Sequence, residues 1–274
     1  MSPPEVPAID LDRLGREVEH LESLFGAPAE LTRSALDVLD FYAERARRPS
    51  AALVEEKQGR SLAVPAPVLR AMGMGLQKQA AEHPESGWPA ADALWDADLR
   101  ETRILACWTV SGFGDTRVAE WVERRAAGLD DPPVMTAVVD RAFLTWRRVS
   151  GRAYVDQIGR WLASSRSVLH ALGLRALEAG LEMPELEDMH RAFEALAGLP
   201  RPVRGDARSA LADLLKTLAV RSPAETTRFL LEEIEADYPG IERLARSLLP
   251  SLPPPQRERL TAALSSRGVG KRSS

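Results

Sequence analysis

Apolar residues recur at helical spacing along almost the whole chain, which leaves few folds open to it. Proline and glycine cut the pattern into pieces of about 10–20 residues. Val-Ile-Thr alternation never lasts, and no Asn-Gly or Asp-Gly turn joins two strand-like runs. The pattern predicts helices over 8–25, 28–47, 50–58, 66–82, 88–95, 99–112, 115–127, 132–148, 151–164, 166–181, 185–197, 203–220, 222–236, 240–249 and 254–265. Some starts carry their own mechanism. Asp98 and Glu101 have capping-box spacing, as do Ser222 and Glu225, and Asp131-Pro132 and Ser222-Pro223 put proline at the first helical position.

Short loops make sequential helices pack as antiparallel pairs. The pairs recur at about 35–45 residues, the spacing of HEAT-type helical repeats. The expected fold is all-α, a right-handed α-solenoid of antiparallel helix pairs. One domain is expected over 1–264, with a basic, disordered tail over 265–274.

The stretch ALWDADLRETRILACWTVS is the centre of the pattern. Glu101, Ile104, Leu105 and Trp108 fall at i, i+3, i+4 and i+7, so a carboxylate shares an apolar stripe. A helix start tolerates it, because free backbone N–H groups accept its charge. Glu101 and Arg103 are residue types that do catalysis, but at this position a capping and interhelix role is the expectation.

No run of about 18 uncharged apolar residues occurs, so no membrane association is expected. The start, MSPPEVPAIDLD, lacks the basic and apolar regions of a secretory signal. Cys107 is the only cysteine, which excludes an internal disulfide, fits the cytoplasm and reads as core packing beside Trp108. The four histidines have no i, i+4 partners and no glycine-rich phosphate loop is present, so no metal or cofactor is expected. The six tryptophans lie mostly on apolar stripes, so core packing is the expectation for each, with Trp146 and Trp161 the more exposed of them. A monomer is expected.

Charge is uneven. The chain carries a net −4, which argues mildly against a protein devoted to nucleic acid. Residues 1–100 hold 11 Lys+Arg against 17 Asp+Glu, and residues 201–274 hold 13 against 9. Between them, residues 141–175 contain seven arginines (141, 147, 148, 152, 160, 166 and 175) with Asp156 as the only acid. Such a stretch makes either a local anion site or a solvated basic face.

SLAVPAPVLR (61–70), ALWDADLRETRILA (93–106) and AEWVERRAAGLDDPPVMTAVVD (119–140) resemble successive blocks of the DNA alkylation repair family. These are HEAT-like-repeat DNA glycosylases of the AlkD type. IGRWLASSRSVLHAL (158–172) and ARSALADLLKTLAVRSPAETTRFL (207–230) are similar to later blocks, so the resemblance spans roughly 55–250. It implies a concave face lined by two tryptophans, an aspartate and an arginine, and release of cationic alkylated bases without flipping them into a pocket. Asp140 falls where the family aspartate does. The family tryptophan four residues earlier falls on Thr136. The later W-x-R-R block falls on Val168, Leu169, His170 and Ala171, so the second tryptophan and the arginine are replaced as well. Trp146 is six residues from Asp140, about 240° around an α-helix, and does not substitute.

Asp140 is therefore the candidate catalytic residue, a carboxylate able to stabilise positive charge on a sugar as a cationic base departs. The plainer alternative is a surface acid paired with Arg141 or Arg147. Arg147, Arg148, Arg152 and Arg166 are the candidate phosphate contacts to duplex DNA, which would give sequence-independent, salt-dependent affinity. The resemblance thus implies a DNA-binding relative of the alkylpurine glycosylases of base-excision repair, with a degenerate site and low or absent activity. A non-catalytic scaffold binding a protein partner on its concave face is the alternative.

Overall fold

A computed structural model of the chain describes residues 9–46, 61–187, 189–237 and 239–270. Among the described residues every regular element is helical and no strand occurs. The chain divides into two compact units, Met1–Ser150 and Gly151–Ser274.

The first unit holds α1 (Leu11–Ser23), α2 (Pro28–Ala46), α3 (Ala66–Glu82), α4 (Pro84–Asp96), α5 (Arg100–Val110), α6 (Arg117–Arg124), α7 (Pro132–Ala137) and α8 (Leu144–Val149). Alternate helices stack. α1 packs on α3 and α3 on α5, while α2 packs on α4 and α4 closes against α5. The interior this makes is apolar: Leu31, Leu39, Val68, Met72, Leu94, Leu105 and Val118 are all fully buried. The α3–α5 seam depends on a small residue. A Cβ placed on Gly73 would sit 2.4 Å from the Trp108 ring, so glycine is what lets the indole lie flat on α3.

The second unit holds α9 (Gly151–Leu162), α10 (Ser167–Gly180), α11 (His190–Ala197), α12 (Asp206–Arg221), α13 (Pro223–Glu235), α14 (Ile241–Leu248) and α15 (Pro254–Gly270). Here too alternate helices meet: α9 with α11, α10 with α12, and α13 with α15. Polar bonds fix the stacking. Tyr154 Oη on α9 donates to the Ala176 carbonyl on α10 at 2.9 Å, and Thr217 Oγ1 on α12 donates to Glu178 on α10 at 2.8 Å.

The helical expectation holds with local corrections. The helix expected over 132–148 is interrupted by a π turn at Val138–Ala142, and that expected over 185–197 begins as a separate 3₁₀ turn at Pro184–Leu186. α15 runs to Gly270, past the point at which the tail was expected to begin. The helix expected over 50–58 lies outside the described residues.

The capping side chains also differ from expectation. Asp98 has φ +57 and its carboxylate takes Arg103, leaving Leu99 as the cap of α5 with no side-chain cap bond. Asp131 precedes α7 but binds Arg100 Nε at 2.7 Å, and Ser222 Oγ donates to Glu225 rather than accepting a backbone N–H. In each case a neighbouring side chain outcompetes the backbone for the polar group, because a charged partner makes the stronger bond.

Gly73→Ala tests the α3–α5 seam. Alanine gains about 0.8–1.0 kcal/mol in helix propensity, whereas overpacking costs about 1–3 kcal/mol. The clash is with a ring wedged between helices, so the melting temperature should fall by a few degrees. A rise would mean that Trp108 moves freely.

Candidate functional site

α7 begins at Pro132, where a missing N–H costs nothing, and carries the chain into the π turn. The Phe143 N–H reaches the Val138 carbonyl at 3.2 Å, a five-residue step that adds one residue to the turn. Val138, Val139, Ala142 and Phe143 are buried beneath it, and Asp140 faces solvent above them. Thr136, one turn earlier, is also exposed. The alternative pairing of Asp140 with Arg141 or Arg147 is not made: among the described residues the Asp140 side chain has no hydrogen bond or ion pair.

Arg141 is drawn elsewhere. Its guanidinium lies over the Trp108 ring at 4.5 Å, with Gly73 beneath the same indole. A cation over an indole face gains about 0.5–1 kcal/mol where it is exposed, enough to hold the side chain off the neighbouring carboxylate. Two hydroxyls then fix α8 against the end of α5. Thr145 Oγ1 donates to the Ser111 carbonyl, and Ser150 Oγ to the Gly114 carbonyl at 3.2 Å. The result is a carboxylate on a rigid apolar base, open to solvent and without a neutralising partner.

The candidate arginines fall in both units. Arg147 is half-buried and Arg148 exposed on α8 of the first, while Arg152 is exposed on α9 and Arg166 exposed just before α10 of the second. Arg148 and Arg152 make no ion pair among the described residues.

The aromatic expectation is corrected. Trp146 and Trp161 are 0% and 1% exposed, so neither reaches solvent. The extra residue of the π turn rotates α8 about its axis, and Trp146 enters the core edge-on to Phe143 at 5.7 Å. Trp161 packs against the middle of α10, where a Cβ on Gly173 would stand 3.3 Å from the Trp161 Cβ. The later block offers no ring or cation either. Val168 is half-buried, Leu169 and Ala171 are buried, and His170 Nε2 is held 2.5 Å from the Ser164 carbonyl, to which it donates.

Glu101 is a structural residue, though not as a cap of its own helix. Its side chain is 2% exposed, and Oε1 accepts from Ser61 Oγ at 2.7 Å and from the Leu62 and Ala63 N–H groups at 3.0 Å each. The carboxylate thus ties α5 to the segment leading into α3. Cys107 is fully buried, and burial pushes its thiol well above the ordinary range, which removes the thiolate that reactivity requires.

A second constellation was not foreseen from the sequence. In the second unit, Arg201, Arg208 and Arg243 line a cavity of about 240 Å³ between α12, α13 and α14. Its residues are spread over more than 40 positions with no motif spacing, so only the fold brings them together.

Compared with protein-family models, curated proteins and solved structures, the chain matches none.

Charge-assisted hydrogen bonds contribute about 1.5–3 kcal/mol each, but Leu62 and Ala63 can rehydrate, so Glu101→Ala should cost about 2–4 kcal/mol in total. At about 2–4 °C per kcal/mol the melting temperature should fall by about 4–16 °C, with Glu101→Gln intermediate. Loss of binding without loss of stability would reassign the residue. Cys107 should resist an aromatic disulfide reagent in the folded protein at pH 8 and react fully in denaturant; rapid labelling of the native chain would contradict its burial.

Proposed function

We propose that the chain is a DNA-binding helical-repeat protein related to the alkylpurine glycosylases of base-excision repair, with a degenerate catalytic site. In this reading the helix pairs of each unit are HEAT-like turns of a right-handed solenoid. The observation that carries it is Asp140, the one site residue that the resemblance retains: it is exposed, unpaired and set on a π turn over an apolar base. π turns are rare and frequent at functional sites. The alternate packing of helices in each unit supports the repeat architecture.

The missing companions define what the site lacks. Rings over a cationic base would supply cation–π attraction of about 0.5–2 kcal/mol each, yet Thr136 carries no ring and Trp146 and Trp161 are buried. A permanently charged guanidinium is likewise absent from 168–171. Docking then rests on Arg147, Arg148, Arg152 and Arg166 through backbone phosphates, and Asp140 acts alone near the lesion.

Fluorescence anisotropy with labelled duplexes tests the DNA reading. Weak binding, equal for all sequences, is expected at about 50 mM salt, and replacing Arg147, Arg148 and Arg152 with alanine should lower the salt slope by about 2–3. No detectable binding by the parent would sink it and leave the alternative, a scaffold for a protein partner. Release of 7-methylguanine or 3-methyladenine from alkylated duplex should be low or absent. Robust release that disappears in Asp140→Asn would show an intact active site instead.

A further inference from the structure

The cavity between α12, α13 and α14 combines an apolar floor with a cationic rim. Leu211 and Phe229 form the floor with Ile241, each 4–8% exposed, and Leu244 closes one side. Three arginines and one carboxylate, Glu233, reach it. Glu233 is already used: Arg201 grips it with Nε at 3.0 Å and Nη2 at 2.9 Å, and this two-pronged pair forms a neutral wall. Arg208 and Arg243 remain. Both are exposed, and neither side chain has a hydrogen bond or ion pair among the described residues. Two uncompensated positive charges therefore face an apolar pocket.

The backbone adds to the positive field. α14 starts at Gly240, which has φ +88 and offers no side-chain cap to the first N–H groups of the helix. Arg208 lies against this start, its Nη2 3.6 Å from where a Cβ on Gly240 would stand. A guanidinium and a helix N-terminus thus flank the same end of the cavity, an arrangement that favours an anion.

We propose that this cavity binds a small organic carboxylate with an apolar body, its acid between Arg208 and Arg243 and its ring or short chain on Phe229 and Leu211. The two halves of the lining select jointly. A neutral apolar molecule would leave the arginines without a partner, and a bare inorganic anion would leave the floor unused. The cavity, about 240 Å³, has room for one ring with a short acidic arm. The site stands apart from the DNA reading, because neither arginine belongs to the 141–175 cluster.

The test is calorimetric titration of the full chain with 3-phenylpropionate. Saturable binding is expected at millimolar or lower concentration, with 3-phenylpropanol at least about tenfold weaker. Arg208→Gln with Arg243→Gln should weaken 3-phenylpropionate at least about tenfold at an unchanged melting temperature, since both side chains are exposed. Ala212→Trp, which fills the cavity from α12, should abolish it. No saturation by about 10 mM overturns the proposal. So does equal binding of the alcohol, full competition by inorganic phosphate, or parent-like affinity in the double variant. Loss of duplex binding in that variant, with 3-phenylpropionate unaffected, would assign the two arginines to nucleic-acid phosphates and overturn it as well.

Discussion

A buried carboxylate organises the first unit. Burying a carboxylate is costly unless its oxygens are hydrogen-bonded, and Glu101 meets that condition at one of them: Oε1 accepts from one hydroxyl and two backbone N–H groups of 61–63, while Oε2 is buried without a hydrogen-bond partner among the described residues. Ala63 has φ +55 there, a conformation that a non-glycine residue keeps only when its surroundings hold it. The carboxylate is what holds it. From this anchor the chain enters α3, Gly73 on α3 receives Trp108 from α5, and Trp108 carries Arg141 from the π turn. The candidate site is thus joined to the buried ion by a short run of direct contacts, all within one unit.

The helices were legible because their signal is additive. Apolar periodicity accumulates over many residues, and proline and glycine mark its ends, so α3 begins and ends where the pattern says. Side-chain partners were not legible, because they depend on residues that the fold brings near. Asp98, Asp131 and Ser222 all stand close to helix starts, as their spacing implies, yet Arg103, Arg100 and Glu225 take their polar groups. Local sequence supplies the candidate for a cap; tertiary structure supplies the competitor. Glu101 shows the same division. Its need for backbone N–H groups could be read from its place on an apolar stripe, but not that those groups lie some 40 residues away in sequence, as the Ser61 bond does.

Of the candidate site, the sequence offered Asp140 on its position in a block pattern, and the structure finds that residue exposed. The π turn was not legible, since one extra residue per turn leaves no periodic trace in a segment this short. Beyond Ala142, angles counted along an unbroken α-helix from Asp140 no longer apply, and Trp146, ranked among the more exposed tryptophans, enters the core that was the expectation for all six. Trp161, the other tryptophan ranked as more exposed, has exposed Arg160 beside it on α9 and is nevertheless buried, with its Cβ against α10 near Gly173.

The electrostatics of Asp140 set what such a site can do. Two unit charges 4 Å apart interact by about 1 kcal/mol in bulk water and about 4 kcal/mol at the effective dielectric of a protein surface. An exposed carboxylate starts near the lower figure. It moves toward the higher one only when a bound partner excludes water, and among the described residues nothing of the protein covers it. In the proposed complex the DNA itself must be that cover, held by the candidate arginines before the acid has any effect. Arg141 matters here by its absence: stacked on Trp108, it leaves the carboxylate without an ion-pair partner. A surface ion pair would have cancelled the carboxylate's charge for a gain of about 0–1 kcal/mol. The indole therefore keeps the acid available without touching it, and removing the ring would let Arg141 fall back onto its neighbour.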